Sequence, residues 1–197
     1  MGQPDLFPVF LKLDGRKVLL VGGGQVAAAK LGGLAKTGAR VTVVAPEVAP
    51  EITSTPGVVI VLRQFIASDL DGAWLVVAAG PPSVNRRVAA AAEARAVFVN
   101  AVDDRDHGSV YTGGVFRRGG VTIAVSTEGQ APALAGLLRE GLEAVVPDDI
   151  ESWVNAAREL RQQQRAAGVS MGQRRPLLLQ ALNGLYERKA ERSKVTA

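Results

Sequence analysis

The chain has 197 residues, a formal net charge of +4 and no cysteine. Its length suits one α/β domain with a smaller appended part, and the missing cysteines exclude disulfides and thiolate-bound metals. The N-terminus lacks the basic-then-apolar pattern of a signal peptide, and no apolar run approaches membrane-spanning length. We therefore expect a cytoplasmic protein that makes no use of a membrane.

The first predicted elements are a strand, a glycine turn and a helix. Residues 18–21 form a short apolar run typical of strands buried on both faces, and residues 25–36 have the composition of a helix. Between them, Gly22-x-Gly24-x-x-Ala27 fits the dinucleotide fingerprint, in which a phosphate faces the N–H groups of a helix N-terminus. A plain structural turn also uses such glycines, but the flanking elements favour a nucleotide site. The residues predicted to lie along the pyrophosphate are Gly22, Gly23, Gly24, Gln25 and Val26.

Further apolar runs alternate with helical segments as far as residue 102. Strands are predicted at residues 39–45, 58–62, 74–79 and 97–99. A helix at residues 84–95 is predicted to be capped by Ser83, after a break at Gly80-Pro81-Pro82. This alternation predicts an α/β fold, a Rossmann-type doubly wound parallel sheet with its ligand at the carboxyl ends of the strands. We assign residues 1–113 to this nucleotide-binding domain.

The pattern changes near residue 109. Runs at 109–117 and 121–126 predict a hairpin, Pro132 opens a helix to about residue 145, and helices follow from about residue 147 and at 176–188. We predict a small α/β dimerisation and substrate element at residues 114–146 and a C-terminal helical region at 147–197. Because this part is too thin to bury its own apolar faces, we expect a homodimer, with exchange of the hairpins as a hypothesis.

Basic residues are concentrated in the C-terminal helices. No aromatic side chains interleave with them, and glutamates are mixed among them. This pattern does not favour a nucleic-acid partner over a polyanionic small molecule or over simple solubility.

The choice of cofactor depends on the end of the second strand, which reads Ala45-Pro46-Glu47. A standard NAD site has an acidic residue about twenty positions beyond the glycines that holds the ribose hydroxyls. Here either Glu47 reaches the ribose from the following loop or backbone atoms take that role. No arginine follows to bind a 2′-phosphate, so the sequence favours NAD over NADP.

Asp103 follows the last predicted strand, at the sheet edge where ligands bind. Its carboxylate is a candidate general base, orienting group or partner of a positive charge. A turn cap is the alternative, since Asp104 lies next to it in a polar loop. His107 is the only histidine, and no metal site is predicted. A hydrolytic triad of Asp103, His107 and Ser109 is rejected because residues so close along one loop rarely point as a triad requires.

The loop at residues 126–132 (STEGQAP) carries hydroxyl groups and leads into a helix N-terminus. Two interpretations are open. Ser126 and Thr127 serve as capping residues, or the loop and the helix end bind an anion such as a substrate carboxylate.

Four segments, in this order and spacing, resemble precorrin-2 dehydrogenase, the N-terminal module of siroheme synthase. They are FPVFLKLDGRKVLLVGGGQVAAAK, VTVVAPE, VNRRVAAAAEARAVFVNAVDD and TIAVSTEGQAPALAGLLREGLE. The resemblance covers about residues 7–147. The sequence does not include the methyltransferase domain of the fused synthases, so it resembles the stand-alone form.

The resemblance implies NAD-dependent oxidation of precorrin-2, a reduced tetrapyrrole, to sirohydrochlorin on the route to siroheme or cobalamin. It makes Asp103 the functional aspartate, and it places Thr127 in the loop that faces the substrate. The positions that match NAD contacts of the family are Gln25, Val26, Pro46, Glu47 and Asn85. By charge complementarity with the substrate's carboxylates, further candidates are Arg117, Arg118 and Arg139.

Two alternatives remain for the activity. Some relatives also insert ferrous iron into sirohydrochlorin, in which case His107 is a candidate for metal delivery or proton removal. In a different class, the chain is a non-catalytic NAD-sensing regulatory module on the same fold.

Overall fold

The computed structural model describes residues 5–195 of the chain and the side chains of residues 5–184. It divides into two units, Met1–Thr112 and Gly113–Ala197. The first unit contains β1 (Lys17–Val21), α1 (Gln25–Ala35), β2 (Arg40–Ala45), α2 (Pro50–Thr53), β3 (Val59–Leu62), β4 (Leu75–Ala78), α3 (Pro82–Glu93) and β5 (Phe98–Ala101), with a 3₁₀ turn at Ala67–Leu70 before β4.

The strands of the first unit form one parallel sheet in the order β3-β2-β1-β4-β5. The chain proceeds outward from β1 to β3, then returns to pair β4 with the other edge of β1. The strand order therefore reverses between β1 and β4, which is where doubly wound sheets bind their ligands. The predicted Rossmann-type fold class is confirmed.

The central strand β1 is buried on both faces because its side chains alternate between two apolar clusters. Val18 and Leu20 pack with residues of α1, including Leu31, on one side of the sheet. Leu19 and Val21 pack with residues of α3 on the other side. Burying a large aliphatic side chain is worth about 1.5–3 kcal/mol, so this strand anchors the glycine turn that follows it.

Helix α3 begins two residues earlier than predicted, and Ser83 is not its cap. Pro81 is the N-cap residue and Pro82 occupies the first helical position. The fixed φ of proline suits the first turn of a helix, where its missing N–H leaves no intrahelical bond unmade. Gly80-Pro81-Pro82 therefore opens this helix rather than merely breaking the chain.

The second unit combines a hairpin with three helices. Its elements are β6 (Gly114–Arg118), β7 (Val121–Val125), α4 (Pro132–Val145), α5 (Ile150–Ala166) and α6 (Met171–Val195). β6 and β7 are antiparallel, with Phe116 opposite Ile123, and their turn uses Gly119 and Gly120 at positive φ values of 50° and 82°. Helix α4 packs on both strands, and α5 packs on β7 and α6.

Two boundaries in this region differ from the prediction. Strand β6 is shorter than residues 109–117, because the N–H groups of Ser109 and Val110 both donate to Val99 O of β5 at 2.9 Å. Helix α6 begins before residue 176 and contains Pro176. At its start, Gln173 N–H donates to Ser170 O at 3.1 Å, and Ser170 Oγ donates to Gln173 Oε1 at 3.1 Å. No helix within residues 5–195 is both long enough and apolar enough to cross a membrane.

An ion pair at the 3₁₀ turn makes stability depend on pH. Arg63 donates to both carboxylate oxygens of Asp69, which also accepts from Ile66 N–H at 2.9 Å. The hydrogen bonds from Arg63 hold the pKa of Asp69 below its ordinary value of 3.8, against the opposing effect of burial. A carboxylate with a lowered folded pKa stabilises the protein above its unfolded pKa, and this contribution is lost as the pH falls through the folded pKa.

We expect Asp69→Asn to lower the free energy of unfolding at pH 7 by about 1 kcal/mol, the upper range for such pairs. Because the contribution is already lost in acid, variant and wild type should converge below the folded pKa of Asp69. Urea unfolding at a series of pH values measures this. The control is Asp71→Asn, which removes a more exposed carboxylate that pairs with Arg95 at 3.3 Å. An Asp69→Asn deficit that persists unchanged in acid would contradict the electrostatic origin.

Candidate functional site

The glycine turn after β1 is clamped between the ends of the two neighbouring strands. Gly22 has φ of 130°, and a Cβ on it would overlap the carbonyl oxygen of Ala79 after β4. A Cβ on Gly23 would overlap the carbonyl oxygen of Glu47 after β2. Gly23 O also accepts from Ala49 N–H at 2.7 Å. The first two glycines are therefore required by close backbone packing.

Gly24 has a different role because it faces open space. A Cβ on it would meet no atom within 4 Å, and Gly24, Gln25 and Val26 are all exposed. Gly24 is the N-cap of α1, with no side-chain hydrogen bond at the cap and no acidic residue in the first turn. Ala27, by contrast, is fully buried and allows α1 to pack closely on the sheet.

This arrangement fits the phosphates of a dinucleotide. The first-turn N–H groups of α1 have no partner within the helix, and the N-terminus carries roughly half a unit of positive charge. The open face at Gly24 leaves room for an anion to approach the backbone. Of the side chains predicted to touch the cofactor here, Gln25 already hydrogen-bonds Glu51 of α2, with Nε2 at 3.2 Å from Oε1. No local sequence pattern marks Glu51 as the partner of Gln25.

Pro46 and Glu47 lie in the loop after β2, and both are exposed. The backbone of Glu47 approaches Gly23 so closely that no side chain fits between them. This loop therefore lies directly beside the glycine turn, as a ribose contact from Glu47 or from the backbone requires.

Asp103 lies just beyond β5 on the same edge of the sheet. Val102 N–H donates to Ala78 O at 2.9 Å, which ties this loop to the end of β4. Asp103 has φ of 57°, in the left-handed region that a non-glycine residue rarely adopts. Its side chain is exposed, and within residues 5–184 it has no hydrogen-bond or ion-pair partner. The carboxylate is thus free to act on a ligand.

The neighbouring carboxylate of Asp104 is engaged. His107 Nδ1 lies 2.7 Å from Asp104 Oδ1, and this hydrogen bond lowers the pKa of Asp104 below its ordinary value. Ser109 Oγ accepts from Val99 N–H at 2.9 Å. His107 and Ser109 therefore serve the loop itself, and the arrangement is not a triad with Asp103.

Asn85, which is predicted to contact the cofactor, has a buried side chain. It is only 3% exposed, and both ends of its amide are used within the protein. Oδ1 accepts from Gly80 N–H at 2.9 Å, and Nδ2 donates to Val102 O at 3.4 Å.

In the second unit, the hydroxyls of the loop before α4 are used as local acceptors. Ser126 Oγ accepts from Glu128 N–H at 3.1 Å, and Thr127 Oγ1 accepts from Ala131 N–H at 3.2 Å. Glu128 and Gly129 have positive φ values of 55° and 74°. These bonds order the loop, but the N-cap of α4 is Ala131 and no side chain caps the helix, so Ser126 and Thr127 are not its capping residues. Because each hydroxyl accepts in these bonds, its own O–H remains able to donate to an anion.

The three arginines predicted to meet the substrate differ in how fully they are paired. Arg139 pairs with Glu143 at 2.6 Å and with Glu140 at 2.9 Å. Arg118 donates to Val146 O at 2.7 Å and pairs with Asp148 at 3.0 Å. Arg117 is exposed, and the described residues include no ion-pair partner for it.

No group of three or more His, Asp or Glu side chains within the described part of the chain is arranged to hold a metal ion.

Comparison with known proteins gives matches to two family models. The model described as "Putative NAD(P)-binding" matches residues 9–114. The model described as "Sirohaem biosynthesis protein central" matches residues 118–144. The first covers the parallel sheet with the glycine turn and Asp103, and the second covers most of the hairpin and α4.

Curated relatives are similar over nearly the whole chain. A siroheme synthase of Photorhabdus laumondii is 39% identical over 186 residues, which are 92% of this chain and 40% of the relative. Siroheme synthase 3 of Aeromonas hydrophila is 40% identical over 175 residues, which are 87% of this chain and 37% of the relative. The chain thus spans about two fifths of the length of these relatives.

A solved structure described as "SirC, precorrin-2 dehydrogenase" is similar to both units. It superposes with a TM-score of 0.67 at 26% sequence identity, and the match covers 89% of this chain and 88% of that one. The likeness therefore extends over nearly all of both chains.

Proposed function

Because the chain belongs to the precorrin-2 dehydrogenase family, the NAD(P)-binding module of siroheme synthases, we propose that it oxidises precorrin-2 to sirohydrochlorin. The observation that carries this proposal is the free, exposed carboxylate of Asp103 on the same sheet edge as the glycine turn. Oxidation of a tetrapyrrole requires both a hydride acceptor and a place for a proton.

In this proposal, NAD is the cofactor and the first unit holds it. The first-turn N–H groups of α1 bind its phosphates beside Gly24, and the loop at Pro46 and Glu47 contacts the adenosine ribose. The described loop after β2 includes no arginine for a 2′-phosphate, which favours NAD over NADP. When bound, the nicotinamide ring accepts one hydride.

Asp103 is proposed to accept the proton that the substrate loses. The conversion removes two hydrogens from precorrin-2, one as a hydride and one as a proton, so NAD and substrate yield NADH, a proton and sirohydrochlorin. A positioned carboxylate contributes about 10²–10⁴-fold to such a proton transfer. The alternative for the same carboxylate is to orient the substrate by accepting a hydrogen bond from a pyrrole N–H.

The second unit is proposed to recognise the carboxylates of the substrate. Arg117 is the strongest candidate because its charge is not already paired within the described residues. The O–H groups of Ser126 and Thr127 are neutral donors for the same purpose. Arg118 and Arg139 stay candidates, but each would have to share its charge with the carboxylates that it already contacts.

We also propose that two copies of the chain associate through α4. Leu134, Leu138, Leu142 and Val145 recur at helical spacing on one side of this helix, and each is 40% or more exposed. Ala135, on the adjoining face of the helix, is buried against the hairpin. A contiguous apolar stripe of this kind typically marks an interface between proteins, and a symmetric pair would cover it on both copies.

Leu138→Glu is expected to shift the protein to monomers, because the interface would have to bury an unpaired charge. Sedimentation measures the mass of the particle. Ala133→Glu is the control, since it adds the same charge at an exposed position of α4 outside the stripe. A wild-type protein that is monomeric at all concentrations would contradict the dimer.

The test of the proposed function is turnover by the purified protein. With precorrin-2 as substrate and NAD as oxidant, the reduced nicotinamide and the absorbance of sirohydrochlorin should rise together. NADP at the same concentration should support a slower rate. If neither nucleotide is reduced in the presence of precorrin-2, the chain is not a dehydrogenase of this substrate.

A further inference from the structure

Asn85 is a buried polar residue of the first unit. It lies in the first turns of α3, and only 3% of it is exposed. Burial of an amide group costs free energy unless its donor and acceptor are both used. The amide of Asn85 meets that condition through contacts with two different loops.

The two contacts of Asn85 join the segments that follow β4 and β5. Its Oδ1 accepts from Gly80 N–H at 2.9 Å. Gly80 lies in the segment after β4, next to the glycine turn. Asn85 Nδ2 donates to Val102 O at 3.4 Å, directly after β5. Val102 is also held by its own N–H, which donates to Ala78 O at 2.9 Å. Both polar backbone groups of Val102 are therefore fixed.

The carbonyl of Val102 belongs to the same rigid peptide plane as the nitrogen of Asp103. The orientation of this plane sets φ of Asp103, which is 57°. A non-glycine residue in the left-handed region costs about 1–3 kcal/mol and persists only where surrounding contacts hold it. The hydrogen bond from Asn85 is such a contact, and it lies immediately before the strained residue.

We infer that Asn85 is a positioning residue, which sets the direction of the Asp103 carboxylate through Val102 and links it to the cofactor-side loop through Gly80. This inference rests on the proposed function, in which Asp103 accepts the substrate's proton. It differs from the cofactor contact that the resemblance implies for Asn85, because the buried amide here joins two loops of the protein. Its loss should change kcat rather than the affinity for NAD.

The test compares Asn85→Ala, Asn85→Asp and the control Ser83→Ala. Asn85→Asp keeps the shape of the side chain and an acceptor for Gly80 N–H, and in its ionised form it loses the donor to Val102 O. It therefore isolates the contact with the Asp103 loop if Asn85→Ala does not fold. Ser83 lies in the same turn of α3 and is exposed, so its hydroxyl is removed without disturbing either loop.

Both Asn85 variants should lower kcat by about 10- to 100-fold, as expected for a misplaced catalytic group. The dissociation constant for NAD, measured by titration of the protein, should stay within about twofold of wild type, because the groups that bind NAD are unchanged. A variant that loses NAD affinity but retains kcat at saturation would overturn the inference in favour of a direct cofactor contact. Wild-type kcat in Asn85→Ala, which lacks both contacts, would overturn it as well.

Amide hydrogen exchange gives a readout that does not depend on turnover. Loss of the Asn85 contacts should speed exchange in peptides spanning residues 101–106 by on the order of tenfold, while peptides from α1 stay unchanged. Unchanged exchange in that loop overturns the positioning role even if the wild type oxidises precorrin-2. If exchange is faster in the Asn85 variants but the wild type does not oxidise precorrin-2, the contact between Asn85 and the loop stands and the proposed function is refuted.

Discussion

Asp103→Asn is expected to lower kcat for precorrin-2 oxidation by about 10²–10⁴-fold, the usual contribution of a positioned general base. The substitution keeps the size of the side chain, and asparagine also tolerates the left-handed backbone at this position. Since the native carboxylate has no partner within residues 5–184, its removal breaks no internal bond. Stability and the dissociation constant for NAD should therefore stay close to wild type.

The control for this substitution is Asp106→Asn, which removes another exposed carboxylate from the same loop. It should leave kcat unchanged. Steady-state rates with both substrates varied separate the effects on kcat and KM. An Asp103→Asn enzyme that turns over at the wild-type rate would show that Asp103 neither accepts the proton nor orients the substrate.

Gly24→Asp is expected to weaken NAD binding by about 100-fold or more, because a like charge beside the phosphates costs several kcal/mol and each 1.4 kcal/mol is tenfold. The same change should not harm folding. Gly24 has the extended backbone of an N-cap, with φ of −83°, and a Cβ there meets open space. Aspartate is a preferred N-cap residue, so α1 should be as stable as before or slightly more so.

Gly23→Ala, one residue earlier, is expected to impair folding rather than NAD binding alone. Its methyl group would overlap the carbonyl oxygen of Glu47, so the turn would have to move and the free energy of unfolding should fall by about 1–3 kcal/mol. Urea unfolding and NAD titration of both variants distinguish the two roles. If Gly24→Asp bound NAD with wild-type affinity, the cofactor's phosphates would not lie at the N-terminus of α1.

The parallel sheet could be predicted from sequence because its physical causes are local. Runs of Val and Leu bounded by glycine and proline identify strands buried on both faces, and the glycine motif identifies the turn after β1. Near Gly80 the sequence pattern predicts the start of α3 incorrectly. Consecutive prolines were interpreted as a break followed by a serine cap, although proline is favoured at the first helical position and Pro82 occupies it.

The candidate site was predictable in position but not in the state of each side chain. The sequence placed Asp103 at the end of a strand, yet it also placed Asp104 there. Only the path of the loop shows that Asp104 is held by His107 while Asp103 is free. That path depends on the positive φ of Asp103 and on contacts from Asn85, which is distant in sequence. The burial of Asn85 and the pairing of Gln25 with Glu51 likewise depend on tertiary structure, which no local sequence pattern encodes.

We propose above all that this chain oxidises precorrin-2 with NAD as the hydride acceptor. The most direct measurement is the stoichiometry of the reaction under strictly anaerobic conditions, where oxygen cannot replace the cofactor. We expect NADH and sirohydrochlorin to form together in a one-to-one ratio, and Asp103→Asn to form neither at a comparable rate. Sirohydrochlorin that forms without NAD, or at the same rate without the protein, would contradict it.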